Sequence, residues 1–153
     1  LITSNYFRSN YPNDIFNMYS KSIILVEDDS DDRELFCLIV HEMPSAIECI
    51  EFSNGKDAFD YLKTTDKLPD IIFTDLDMHL MSGEEFIIEL KKEGRTKDIP
   101  VYIYTTPFMF GHTSDIIKSS VTGCVFKNSD FNDFENGLKT VLQEHYGSSK
   151  EPS

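Results

Sequence analysis

The chain has 153 residues, one domain's worth rather than two. At 40% hydrophobic and 12% aromatic it can bury a real core, which excludes wholesale disorder, and it has no run of about 18 apolar residues that could span a membrane. With 27 Asp and Glu against 14 Lys and Arg, the net charge of -13 argues against direct nucleic-acid binding and suits a cation or a partner with a basic face.

Residues 1–20 are rich in Asn, Ser and Tyr and carry only Arg8 and Asp14 as charges. They show neither strand nor helix period and read as a flexible leader of non-native character, with Met18 a natural start. No basic segment followed by an apolar core and a small-residue cleavage site is visible, so no secretory signal is expected. The three cysteines, Cys37, Cys49 and Cys124, each lie in an apolar stretch and form no CxxC. That scattered, odd set predicts reduced core thiols in a cytoplasmic protein.

From residue 22 the texture becomes regular. Strand-length apolar or β-branched runs occur at 22–26, 46–52, 70–74, 101–105 and 123–126. Ile23-Ile24-Leu25-Val26 and Ile71-Ile72-Phe73 are continuous rather than alternating, as strands buried on both faces of a parallel sheet should be. Helical spacing links these runs. Leu35, Leu38, Ile39 and Met43 mark the first helix, and Ala58, Phe59 and Leu62 the second, after Asn54-Gly55. The third opens with a capping box, Ser82 to Glu85, ahead of Phe86, Ile87 and Leu90. Ile116 and Ile117 mark a weak fourth. Phe131, Phe134, Leu138, Val141 and Leu142 mark a clear fifth, with Glu135 and Lys139 as an i,i+4 pair. Pro69 and Pro100 stand just before the third and fourth strands and stop the preceding segments. Strict alternation predicts an α/β fold: a doubly wound five-stranded parallel sheet sandwiched by five helices over residues 21–146, with a frayed tail at 147–153.

Ligands of open α/β sheets bind beyond the carboxyl ends of the strands. The residues due there are Glu27 and Asp28 after the first strand, Asp75 after the third, Thr105 at the end of the fourth and Lys127 after the fifth. Three carboxylates and one ammonium sum to -2, and like charges ~4 Å apart repel by about 4 kcal/mol at an effective dielectric near 20. One divalent cation neutralises the set, and oxygen-only ligands favour a hard ion such as Mg2+. With such an ion Asp75 can serve as a carboxylate nucleophile toward a phosphoryl donor, Lys127 and Thr105 offsetting and bonding the transferred group.

The segments ILVEDDSDDREL, DIIFTDLDMHLMSG, VYIYTT and GCVFK, with 30 residues from Asp75 to Thr105 and 22 from Thr105 to Lys127, resemble the receiver domain of bacterial two-component response regulators. The resemblance, which includes single-domain chemotaxis-type receivers, implies a flavodoxin-like fold. It makes Asp75 the phosphoacceptor, Asp28 a direct metal ligand, Glu27 its companion, and the Asp77 backbone carbonyl a further ligand. Thr105 and Lys127 match the family's hydroxyl and lysine. It further implies a histidine kinase or phosphotransfer protein as donor, loss of the phosphoryl group by hydrolysis, and a shift of the hydroxyl that moves the strand-four and strand-five face used by a downstream protein target. About eight residues follow the fifth helix, so the expectation is a stand-alone phosphoacceptor switch, not an enzyme, acting by protein–protein contact without nucleic acid or membrane. A homodimer through the fourth or fifth helix stays open.

The sequence also departs from that pattern. His79 stands where the family usually has Pro, and reads as a solvated loop residue. Asn128 follows Lys127 where the family has a Pro in a cis peptide. A non-Pro cis bond costs ~2.5–4 kcal/mol, so either that cost is met or the loop is trans and the lysine is seated differently. Cys124 replaces the aromatic switch residue, leaving the coupling absent or carried by Tyr102, Tyr104 or another ring. The Asp77 side chain reads either as a group at the phosphoryl entrance or as an exposed loop acid. Asp31 and Asp32 read as favourable charges at a helix N-terminus. Pro107-Phe108-Met109-Phe110 reads as an apolar loop, either core cover or a partner patch. Two further readings are a pseudo-receiver that keeps the fold without the chemistry, and a phosphatase of the haloacid-dehalogenase type built on Asp75-Leu76-Asp77.

Overall fold

A computed structural model of the protein describes residues 21–128 and 130–147. The leader expected over residues 1–20 and all but the first residue of the tail lie outside the described residues. Five strands form one parallel sheet: β1 (Lys21–Val26), β2 (Ile47–Phe52), β3 (Ile71–Thr74), β4 (Val101–Thr105) and β5 (Gly123–Phe126). The strand order is β2-β1-β3-β4-β5. The helices are α1 (Ser30–His41), α2 (Gly55–Thr64), α3 (Gly83–Lys92), α4 (Pro107–His112), α5 (Asp115–Ser120) and α6 (Phe131–Tyr146).

The continuous apolar strands are explained by two cores, one on each face of the sheet. Ile23, Leu25, Ile71, Phe73, Tyr104 and Val125 turn toward Phe36 and Val40 of α1 and Phe134, Leu138 and Leu142 of α6. Their strand neighbours Ile24, Val26, Ile72, Val101 and Ile103 turn to the other face, against Ala58 and Leu62 of α2, Phe86, Ile87 and Leu90 of α3, and Ile117 of α5. Every second residue thus serves a different layer, so no polar face is left along these strands.

The helix starts follow local chemistry. Asp29 caps α1 by accepting from the backbone N–H groups of Asp31 and Asp32 at 2.9 and 3.0 Å. Ser82 and Glu85 close the expected capping box on α3. Glu135 and Lys139 pair at 2.7 Å on α6.

The face of α1 differs from the spacing-based expectation. Leu38 is exposed, and the buried set is Phe36, Cys37, Ile39 and Val40. Residues 35–40 are all apolar, so a 3.6-residue period fits more than one face, and the bulk of Phe36 against Phe73 and Tyr104 selects this one.

The fourth helical layer comes in two pieces, and the segment expected to be an apolar loop is the first of them. Pro107 is compatible with a first helical turn, and the Thr106 hydroxyl accepts from Met109 N–H at 3.3 Å to start α4. Thr113 ends α4, and Ser114 immediately caps α5, so the two cannot merge. Phe108 stays 71% exposed while Met109 and Phe110 pack partly on the core, so the apolar segment divides between the two roles.

Cys37 and Cys49 meet in the core as free thiols, and Cys124 is half-buried. Among the described residues, no helix is long and apolar enough to cross a membrane.

Phe36 is fully buried between the rings of Phe73 (5.0 Å) and Tyr104 (5.2 Å). Phe36→Ala is expected to cost about 3–5 kcal/mol of folding stability in urea titration, with the unfolding slope unchanged.

Candidate functional site

The site lies at the carboxyl edge of the sheet, on both sides of the point where the strand order turns back between β1 and β3. Glu27 and Asp28 leave β1. The Glu27 N–H donates to Phe52 O at 2.9 Å, which carries the sheet pairing one residue past the strand. Arg33, one turn into α1, donates from Nη1 to the carbonyls of Glu27 (2.7 Å) and Asp28 (3.0 Å). Asp29 N–H donates to Glu27 Oε1 at 3.0 Å. This loop is therefore tied by four hydrogen bonds, and Arg33 is a residue that spacing alone did not single out.

Asp75 leaves β3 with its N–H bonded to Val26 O at 2.9 Å. Its Oδ1 accepts from Leu76 N–H at 2.7 Å, which fixes the plane of the carboxylate, and its own carbonyl accepts from the Thr74 hydroxyl at 2.9 Å. The loop that follows folds back at once, since Gly83 N–H donates to Leu76 O at 2.9 Å. A Cβ on Gly83 would overlap the Asp75 carbonyl oxygen and come within 2.7 Å of Leu76 Cα. Glycine at this position thus lets α3 start against the backbone of Asp75. Between them, Asp77 and His79 are exposed, and Leu80 holds a left-handed backbone with φ 68°.

Lys127 leaves β5 with its N–H on Thr105 O at 2.8 Å, and Thr105, whose partner in the strand register is Phe126, is buried. No cis peptide bond occurs among the described residues, so Lys127–Asn128 is trans. The lysine nevertheless reaches the acids. Its Nζ lies 2.5 Å from Glu27 Oε2, 3.1 Å from Asp75 Oδ2 and 3.2 Å from Asp32 Oδ2. Asp32, expected only as a favourable helix-start charge, is therefore also a partner of Lys127. Nothing in its spacing marked it, because the contact depends on where α1 sits against β5.

The electrostatics are those of a crowded acid cluster. Burial pushes the Glu27 carboxyl up to about 7, and nearby Asp75 adds to the rise while Lys127 opposes it. Burial alone would lower the Lys127 ammonium's pKa, but Glu27, Asp75 and Asp32 outweigh it and raise the value. Glu27 Oε2 faces the Lys127 ammonium as an ion pair, while its Oε1 accepts from Asp29 N–H.

Ligand oxygens of Glu27, Asp28 and Asp75 all lie within 4.8 Å of one another. An all-oxygen donor set of three carboxylates fits a hard divalent cation that keeps several waters. The structure thus brings Glu27, Asp28, Asp75 and Lys127 together. Asp77 lies on the exposed loop beyond them.

The family model for the response regulator receiver domain matches residues 23–139. The sensor histidine kinase CheAY of Helicobacter pylori is 33% identical over 86 residues, 55% of this chain and 10% of that protein. The phosphate regulon transcriptional regulatory protein PhoB of Escherichia coli is 30% identical over 104 residues, 68% of this chain and 42% of that protein. The chain therefore spans less than half the length of either relative. Among solved structures, the phosphorylated cyanobacterial phytochrome response regulator RcpA superposes with a TM-score of 0.73 at 25% identity, over 87% of this chain and 99% of that one.

Two outcomes follow from this geometry. In protein stripped of metal by a chelator, the folded state keeps a proton on Glu27 that the unfolded chain sheds near its ordinary 4.5. Stability is therefore expected to fall as pH rises from 4.5 to about 7 and to level off above that, with Glu27→Gln flattening the slope in urea titrations. Gly83→Ala is expected to cost about 1–3 kcal/mol, and to shift the amide resonances of Asp75 and Leu76 more than those of the distant α6.

Proposed function

The chain belongs to the response regulator receiver domain family, and we propose that within it Asp75 is the phosphoacceptor of a Mg2+-dependent switch. A phosphorylation-based signalling role comes with the family, whose members are phosphoacceptor switches rather than enzymes turning over an external substrate. The observation that carries the finer reading is the meeting of Lys127 Nζ with Asp75 Oδ2 at 3.1 Å, beside ligand oxygens of Glu27, Asp28 and Asp75 within 4.8 Å of one another. Residues 21–146 are taken as the working unit.

Glu27, Asp28 and Asp75 would hold the cation, with the Asp77 backbone carbonyl as a further ligand. When bound, the ion supplies positive charge that lets carboxylates share the site and offsets the phosphoryl oxygens. Asp75 does the covalent step. A carboxylate oxygen attacks phosphorus of a phosphohistidine on a kinase or phosphotransfer protein, a P–O bond forms and the N–P bond breaks. The electron pair leaves with the imidazole, which takes a proton from solvent. The Leu76 N–H keeps the carboxylate in one plane for that attack. Lys127 offsets the charge that Asp75 brings, and the Thr105 hydroxyl donates to a phosphoryl oxygen. Water reverses the modification.

Signalling then runs through protein contact at the β4–β5 rim, where Phe108 and Ile116 are exposed. The free thiols of Cys37, Cys49 and Cys124 suit a reducing, cytoplasmic setting.

The test is intact-mass measurement after incubation with acetyl phosphate and Mg2+. One added phosphoryl group is expected on the wild-type protein and none on Asp75→Asn or with the ion chelated. Lys127→Met is expected to slow the gain on the order of 10²-fold. A wild-type protein that takes up no phosphoryl group overturns the reading.

A further inference from the structure

Lys127 has a fourth contact that is not a carboxylate. Its Nζ lies 4.9 Å from the centroid of the Tyr104 ring, within the range of an ammonium–aromatic attraction. Tyr104 is only 1% exposed and is the largest of the fully buried side chains. Its ring is stacked on Phe134 of α6 (5.4 Å, 25° between planes) and tilted against Phe36 of α1 (5.2 Å, 58°). Both outer helices on this face of the sheet thus fix the ring, and the ring lies beneath the lysine.

The four contacts differ in kind. Glu27 and Asp75 are two of the three residues grouped to hold a cation, and Asp75 is the proposed phosphoacceptor. Their charge and their availability to Lys127 change with each state of the site. Asp32 is partly exposed and stands in the first turn of α1, open to water and screening. Unlike Glu27 and Asp75, the ring carries no charge that a metal ion or a phosphoryl group would change. Burial, then the charges of Asp32, Glu27 and Asp75, raise its hydroxyl's pKa, so it stays a neutral phenol. Beyond Lys127 the chain offers no stiffening proline, because Asn128 follows and is exposed.

We propose that Tyr104 is a positioning residue for Lys127, its clamped ring holding the ammonium at the sheet edge while the carboxylates around it change partners. This rests on the reading of Asp75 as phosphoacceptor and adds the element that keeps its counter-charge in place. The role belongs to the ring face rather than the hydroxyl.

Two measurements on the full chain test it. First, a ring face above an ammonium shields the neighbouring methylene, so the Lys127 ε-CH2 protons should resonate upfield of those of Lys56 and Lys92, which pair with carboxylates on exposed helix faces, in 1H–13C spectra with and without Mg2+. This needs no variant, and Lys127 ε protons at ordinary positions overturn the proposal. Second, the acetyl phosphate rate is compared in a double-mutant cycle. Tyr104→Leu is expected to slow phosphorylation about 5-fold. Tyr104→Phe, which keeps the ring, is expected to restore it, and in a Lys127→Met background Tyr104→Leu should change the rate less than about 2-fold. A slowing of the same size in that background, with folding intact by circular dichroism, overturns the proposal. A wild-type protein that is not phosphorylated defeats the Asp75 reading instead, and the ring shift then still decides where Lys127 is held.

Discussion

One ammonium among three carboxylates organises the carboxyl edge of this sheet. Lys127 touches Glu27, Asp75 and Asp32, residues delivered by β1, β3 and α1. Without it, the carboxylates of that edge would have only one another, since the Arg33 guanidinium donates to the backbone carbonyls of Glu27 and Asp28. The raised protonation range of the Glu27 carboxyl shows that its burial outweighs the one ammonium set against it.

The sheet makes the gathering automatic. In the order β2-β1-β3-β4-β5, β1 and β3 are neighbours and their first loop residues emerge side by side. Backbone hydrogen bonds carry the ladder past the strands into the loops, from Glu27 to Phe52, Asp75 to Val26 and Lys127 to Thr105. The site is in this sense an extension of the sheet, and its side chains inherit the rigidity of the strands.

This explains what was legible in the sequence. Strands buried on both faces leave an unbroken apolar signature, and the polar residue ending each run marks the edge. The alternation with helices then allows few topologies. Glu27, Asp28, Asp75, Thr105 and Lys127 could be named for that reason. The face of α1 could not be fixed, because six successive apolar residues satisfy several periods at once. Asp32 and Tyr104 were not readable as partners of Lys127, since both contacts arise from how helices seat across strands rather than from spacing along the chain. Gly83 carried no signal beyond its type, and only the closeness of α3 to the Asp75 backbone gives it meaning. The helix at Pro107–His112 was obscured by composition, for Pro and Phe in succession read as a loop until the Thr106 cap is seen.

The division of the fourth helical layer has a mechanical consequence. A single long helix across the β4–β5 edge would swing as one rod, and a small push at one end would be magnified at the other. Two six-residue helices hinged at Thr113 and Ser114 have no such leverage. Neither is long enough to keep its shape without the surface beneath it. Each answers only to the patch it sits on, so a disturbance at Thr105 would be felt first through Thr106 and α4, with α5 anchored separately by Ile117. Such a surface behaves like two adjoining tiles rather than a lever, and a protein that docks across both would sense their relative tilt.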